Sequence, residues 1–194
     1  MNTELLNAVQ AGGLAQTETL LKGGADVNTR NEEGATPLMI AAGNGNAELV
    51  ELLLKSGAEV DAADIRGWTA LMKAIFNYEQ NKGFPDIVQT LIDAGADIEH
   101  TIVYGTRPLM IAAGYGEARV VEVLLAAGVD VSAQNEGGRT ARVMAETKDY
   151  VEVVNLLHMH DINSMEGKSP CSVAPKAGTP GGVSVINFMR KPQS

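Results

Sequence analysis

The sequence contains little of what marks a secreted or membrane protein. Its 194 residues include one cysteine, Cys171, so no disulfide can form within the chain and nothing points to an oxidising compartment. The first residues have neither the basic nor the apolar segment of a signal peptide. No apolar run approaches the roughly 18 residues of a membrane span. We therefore expect a soluble, cytoplasmic protein that does not engage a membrane.

Basic residues are also scarce. The chain has 15 Lys and Arg against 24 Asp and Glu, which gives a formal charge of −9. Proteins that bind phosphate backbones need Lys and Arg, and an acidic surface is repelled by anionic lipids. We therefore expect no nucleic-acid partner.

Recognisable catalytic motifs are missing as well. There is no phosphate-binding loop ending in Lys-Ser/Thr, no His-Glu-x-x-His and no Gly-x-Ser-x-Gly. Cys171 lies in a Pro- and Gly-rich stretch without a fixed base and is interpreted as an incidental thiol. His158, His160 and Asp161 leave open a distant alternative, a small metal-dependent enzyme. We expect a non-catalytic protein without a cofactor.

One segment is repeated along the chain. Residues 34–42 (GATPLMIAA) recur in similar form at 67–75, 105–113 and 138–145, at spacings of 33, 38 and 33 residues. A period of this length indicates stacked structural repeats. Within a unit, Thr36 and Pro37 predict the start of one short helix, and Gly57 predicts the end of a second.

These units resemble the ankyrin repeat, in about five copies over residues 3–160. The resemblance implies an all-α fold, a solenoid of stacked helix-turn-helix units with projecting β-turn fingers. It also implies a protein–protein interaction module, a scaffold or adaptor, that binds a protein or peptide through finger tips and a concave face. Where the family has a His after Thr-Pro-Leu, this chain has Met39, Met72, Met110 and Val143. Met fills the space of the imidazole without making its hydrogen bonds.

The repeats predict a domain at 1–160 and a flexible Pro/Gly/Ser-rich tail at 161–194. The predicted units are 1–30, 31–63, 64–101, 102–134 and 135–160. We expect Thr3 to be the N-cap of the first helix. The end units carry polar residues that we expect to face water as caps, namely Gln16, Thr17, Thr19, Arg142 and Glu146.

The middle of the chain holds most of the aromatic residues, six of eight lying between 68 and 115. By the family's layout, residues around the turn glycine project from the fingers and those after the Ala-Ala pair line the concave surface. Aromatic and Arg side chains carry much of the energy at interfaces. The expected partner-binding residues are Glu32, Glu33, Ile65, Arg66, Trp68, Phe76, Asn77, Val103, Tyr104, Thr106 and Tyr115.

Two alternatives remain open within this hypothesis. Unit 3 has five extra residues in the segment 78–85, which belongs either to the binding face or to a tolerated loop, with Phe76 and Phe84 packed beneath it. From 167 onward the chain has four basic residues and no acidic one, so the preceding residues carry −13. This basic tail, with its apolar segment 183–189, would make the protein a regulatory inhibitor if it docked on the acidic repeats. We expect a monomer in isolation.

Overall fold

The computed structural model describes residues 2–77, 80 and 82–166. In this part of the chain ten α-helices follow one another in pairs. The first helices of the pairs are α1 (Asn2–Gln10), α3 (Pro37–Gly43), α5 (Ala70–Ile75), α7 (Pro108–Tyr115) and α9 (Ala141–Glu146). The second helices are α2 (Leu14–Lys22), α4 (Ala47–Lys55), α6 (Pro85–Asp93), α8 (Ala118–Ala126) and α10 (Val151–Glu166).

The helices stack in two layers. Each first helix contacts the first helix of the next unit, and the second helices do the same. The core lies between the layers, where Leu5, Leu38, Leu71 and Leu109 occupy the same position in four units and are at most 2% exposed. Burying each such side chain stabilises the fold by about 1.5–3 kcal/mol. The predicted all-α solenoid is confirmed.

The repeated Thr residues start the first helices as predicted. Thr36, Thr69 and Thr140 each accept a hydrogen bond from the backbone N–H three residues later. This satisfies one of the N–H groups that a helix start leaves unpaired. In unit 4 Arg107 stands at this position and makes an ion pair with Glu99 at 2.9 Å instead.

The end units differ in part from the expectation. The N-cap prediction for Thr3 is wrong, because α1 begins at Asn2 and places Thr3 inside the helix. Thr17 is fully buried and its Oγ1 has no hydrogen-bond partner, since it occupies the core position that Val50 fills one unit later. Gln16 and Thr19 are exposed as expected, and Arg142 and Glu146 form an exposed ion pair at 2.8 Å.

The last helix is longer than the repeat pattern implied. α10 runs to Glu166, beyond the predicted boundary at 160. Ile162 and its neighbours thus continue the helix where inner units have a Gly turn. The tail from 167 onward, including Cys171, lies outside the described residues.

The extra segment of unit 3 is tied to unit 2. Asn77 and Lys82 pair through their backbones, while residues 78, 79 and 81 lie outside the described part of the chain. Asn77 Nδ2 donates to the Gly43 carbonyl, and Gln80 Nε2 donates to the Asn44 carbonyl at 3.3 Å. Phe84 packs on unit 2, its ring so close to Gly45 that a Cβ there would lie 2.3 Å from Phe84 Cε1.

Candidate functional site

The fingers are the turns before the first helices, at residues 31–34, 64–67, 102–105 and 135–138. Three of them begin with Asn31, Asp64 or Asn135, whose Oδ1 accepts two backbone N–H groups of its own turn at 2.8–3.0 Å. Such a side chain replaces backbone partners and fixes the turn. The fingers of units 2, 3 and 5 are therefore held by the same local device.

The finger of unit 4 is built differently. Ile102 stands where the other units have Asn or Asp, so its side chain cannot accept these hydrogen bonds. The turn becomes a short 3-10 helix, Val103–Gly105, in which Tyr104 has φ 62 and ψ 24. A non-glycine residue in this left-handed region costs about 1–3 kcal/mol. We did not predict this strain, although Ile102 differs from the Asn or Asp of the other units when the repeated segments are compared.

Three large apolar side chains are exposed on neighbouring fingers. Ile65 of unit 3 is 73% exposed, and Val103 and Tyr104 of unit 4 are 61% and 71% exposed. We call these residues the finger-tip patch. The structure thus places all three at the tips, where the sequence had placed them. Glu32, Glu33 and Arg66 are also exposed on the fingers.

Trp68 and Thr106 lie lower than expected, at the base of their fingers, where both are partly buried. The Trp68 ring packs against the core and lies 5.4 Å from Lys73 Nζ, measured to the ring centroid. Lys73 Nζ also lies 2.9 Å from Asp64 Oδ2. Burial by itself raises the pKa of Asp64, but hydrogen bonds from Lys73 and from the backbone of Trp68 and Arg66 outweigh it and lower that pKa.

Two pockets lie along the first helices, on the side that the family's layout makes concave. The upstream pocket, of about 440 Å³, belongs to units 1–3 and is mainly polar. Its lining includes Gln10, Asn31, Glu33, Asn44, Lys73, Phe76 and Asn77. The downstream pocket, of about 270 Å³, belongs to units 3–5 and is mainly apolar. Its lining includes Trp68, Ile102, Thr106, Met110, Tyr115, Arg139, Met144 and Lys148.

An aromatic pair lies between the pockets. The rings of Phe76 and Tyr115 are stacked, with centroids 4.1 Å apart and planes within 7°. Phe76 lines the upstream pocket and Tyr115 the downstream one. This contact joins units 3 and 4. Packing of Phe76 beneath the extra segment stays a prediction, because residues 78, 79 and 81 lie outside the described part of the chain.

The downstream pocket is open because of one residue. Gly114 occupies the position that Phe76 occupies in unit 3, so no side chain fills the space. Unit 5 supplies the far wall through Met144, Arg139 and Lys148, and Lys148 Nζ lies 5.4 Å from the Tyr115 ring centroid. We did not predict these three residues because unit 5 was interpreted as a cap. They could have been predicted from their repeat positions, because Met144, Arg139 and Lys148 are the equivalents in unit 5 of Ile111, Thr106 and Tyr115 in unit 4.

A metal site and a membrane-spanning helix receive no support within residues 2–77, 80 and 82–166. No group of three or more His, Cys, Asp and Glu there is arranged to hold a metal ion, and His158, His160 and Asp161 do not form one. Among the same residues, no helix is both long and apolar enough to cross a bilayer. The alternative of a docking tail concerns residues 167–194, outside this part of the chain.

Comparison with known proteins decides the family. The family model described as ankyrin repeats (3 copies) matches residues 5–102 and 78–166. The chain belongs to the ankyrin-repeat family. Ankyrin repeats are generally protein–protein interaction modules, and the family is typically non-catalytic. The resemblance inferred from the repeated segments is thereby confirmed.

A similarity to one larger protein has a narrower meaning. Over 138 residues the chain is 28% identical to the transient receptor potential cation channel subfamily A member 1 of Drosophila melanogaster. The match covers 71% of this chain but 12% of the channel. Because so small a part of the channel is matched, its cation-channel activity is a property of that protein and is not transferred here.

Proposed function

We propose that this ankyrin-repeat protein is a non-catalytic scaffold or adaptor that binds a partner protein through units 3–5. The finger-tip patch and the downstream pocket form its contact surface. It works in the cytoplasm, and it is a monomer until the partner binds. The observation that carries the proposal is the exposed, left-handed Tyr104 on a finger that lacks the side-chain acceptor of its neighbours.

The finger-tip patch has the chemistry of an interface. Isolated apolar residues on a surface need no explanation, but Ile65, Val103 and Tyr104 lie on two neighbouring fingers. Tyr is among the residue types that dominate binding energy, because it buries a large rigid area at little entropic cost. A partner that covers the patch would remove this apolar surface from water, which contributes favourably to the free energy of binding.

The strain at Tyr104 supports the same conclusion. A residue held in a rarely populated backbone conformation indicates that something other than stability selected it. Glycine or asparagine would adopt φ 62 with less strain. This supports a use for the ring of Tyr104 that outweighs its cost, and the exposure of the ring favours a use in binding.

The test is quantitative affinity capture from the source cell with two matched variants. The test variant is Val103→Ser/Tyr104→Gly. The control is Val151→Ser/Asp149→Gly, because Val151 is 66% exposed and Asp149 has φ 58, far from the patch in sequence. We expect the test variant to lose about tenfold or more of the captured partner, and the control to retain it. Equal capture by both variants would remove the finger tips from the interface.

A further inference from the structure

We propose that the downstream pocket accepts one large apolar side chain of a partner peptide, and that an acidic residue next to it pairs with Arg139 and Lys148. This inference rests on the proposed function and specifies the chemistry of the partner. The pocket is formed by three units, since Trp68, Thr106 and Arg139 are equivalent positions of units 3, 4 and 5.

The size and lining of the pocket favour a side chain. Its volume of about 270 Å³ is below the roughly 300–1,000 Å³ of most small-molecule pockets. The walls are apolar or aromatic at Trp68, Ile102, Met110, Tyr115 and Met144. Met side chains adapt to the shape of what they contact, so the pocket suits Leu, Ile, Met or Phe. Burying such a side chain is the largest favourable contribution that this surface can offer.

The charge of the pocket is opposite to that of the protein. Within the described residues, the charged groups that line it are the cations Arg139 and Lys148, and neither is in an ion pair there. The residues before 167 carry −13 in total. A local positive potential on an acidic body selects an acidic ligand and repels a basic one.

The same charge argues against the chain's own tail as the occupant. Residues 167–194 have four basic residues and no acidic one, so their sign matches that of Arg139 and Lys148. A second copy would have to bring its acidic body against this face, which repulsion between two like-charged proteins disfavours. An acidic peptide with an apolar residue is the complementary partner.

Trp68 provides a direct probe, because it is the only tryptophan of the chain and it lines the pocket. Full-length protein is titrated with short Gly/Ser peptides that contain Asp-Leu-Asp, Asp-Ala-Asp or Lys-Leu-Lys, and Trp68 fluorescence is recorded. We expect a saturable shift with Asp-Leu-Asp. Replacing Leu by Ala should weaken binding about tenfold, because apolar burial is lost. The Lys peptide should bind about tenfold more weakly at low ionic strength, with the difference shrinking as salt is added.

Three variants test the assignment of residues. Arg139→Glu/Lys148→Glu should reverse the preference between the Asp and Lys peptides, whereas the exposed control Arg119→Glu should leave it unchanged. Gly114→Leu should fill the pocket and abolish the shift while the protein stays folded, because a Cβ at Gly114 has Met144 Cε as its nearest atom, at 3.9 Å. Circular dichroism and melting temperature verify folding.

Several results would overturn the inference. The first is equal affinity for acidic and basic peptides, and the second is an unchanged response in folded Gly114→Leu. A Trp68 shift that occurs without peptide and depends on protein concentration would assign the pocket to a second copy. A Trp68 shift that occurs without peptide and disappears when 167–194 are deleted would assign the pocket to the tail. If partner capture still depends on Val103 and Tyr104 but not on Arg139 and Lys148, the pocket inference fails, and the proposed adaptor function stands with the finger-tip patch alone as its contact surface.

Discussion

The two halves of the first-helix face use one scaffold for different chemistry. The upstream pocket is lined by amides, Glu33 and a paired Lys73, and its finger at 31–34 is closed by Asn31. The downstream pocket is apolar with two cations, and the finger of unit 4 is strained and exposed. The first helices that line both pockets occupy equivalent positions in the stack. Repeat architecture therefore fixes where side chains point, and single positions decide what they bind.

A few substitutions between equivalent positions produce this contrast. Phe76 of unit 3 becomes Gly114 and then Thr147, which opens the downstream pocket. Asn77 becomes Tyr115 and then Lys148, which replaces an amide by a ring and a cation. The buried leucines of the second helices, Leu91, Leu124 and Leu157, keep their position over the same units, and the first-helix leucine changes only in the end unit, to Arg142. The surface thus varies independently of the interior, as expected when each repeat contacts mainly its neighbours.

The largest effect should separate two residues of one finger. Trp68 is packed on the core and forms a wall of the downstream pocket, while Ile65 is exposed. Trp68→Ala should lower the free energy of unfolding by about 2–4 kcal/mol through lost burial, and Ile65→Ala should change it by less than about 0.5 kcal/mol. Urea denaturation followed by circular dichroism measures both. Similar losses of unfolding free energy for the two variants would show that the finger of unit 3 does not have an exposed tip and a packed base.

The boundary between the halves should be the next most sensitive point. Phe76→Ala removes the ring stacked on Tyr115 and should cost about 1–2 kcal/mol. Phe76→Leu keeps much of the apolar volume and should recover part of that loss. The comparison is made by equilibrium unfolding in urea. A Phe76→Ala protein as stable as the wild type would mean that the stack does not hold units 3 and 4 together.

Acid should affect the finger of unit 3 but not those of units 2 and 5. Asp64 is charged and paired with Lys73, whereas Asn31 and Asn135 make the same turn contacts without charge. The pKa of Asp64 is lowered on folding, so the ionised form stabilises the protein above the ordinary aspartate pKa, and this is lost as pH falls through the lowered value.

Asp64→Asn is the variant that isolates this contribution. It should keep the turn and cost about 1 kcal/mol near neutral pH. The difference from wild type should stay constant down to about pH 5 and shrink below about pH 4. Unfolding measured at a series of pH values gives this difference. A gap that widens as pH falls would contradict the assigned sign.

The smallest effect is a gain in stability at the finger of unit 4. Tyr104→Gly relieves the left-handed residue and should add about 0.5–1 kcal/mol to the free energy of unfolding. Asp149→Gly should give a smaller gain, because Asp149 has φ 58 where unit 4 has Gly116 but Asp adopts this conformation with less strain than Tyr. Only the Tyr104 variant should lose partner binding. Thermal melts measure the stability of each variant, and affinity capture measures its partner binding. A loss of stability in either variant would contradict the conclusion that the left-handed residue is strained.

Periodicity predicted the scaffold better than it predicted the surface. The spacing of Leu38 and Leu71, together with Thr36 and Pro37, was sufficient for the helix pairs because these residues act locally or within the shared core. Thr17 was predicted to face water and is buried, since its polarity suggested a cap while its repeat position determined its contacts. At Thr17 the position within the repeat outweighs residue type, whereas at Arg142, the equivalent of Leu38, the charged side chain is exposed as its type predicted.

The candidate site was predictable in part. The tip residues Ile65, Val103 and Tyr104 followed from their distance to the turn glycines. The downstream pocket did not, because it depends on a side chain that is missing at Gly114 and on residues of three units at once. A pattern within one unit cannot show a cavity between units.

Hydrogen–deuterium exchange of the full chain, with and without its captured partner, tests the location of the binding surface most directly. Amide protection on binding should appear in the finger of unit 4 and in α7 and α9, and should be weak in α1 and in the second helices α4, α6 and α8. Protection concentrated in those second helices, or around the upstream pocket, would contradict the assignment of the partner to units 3–5.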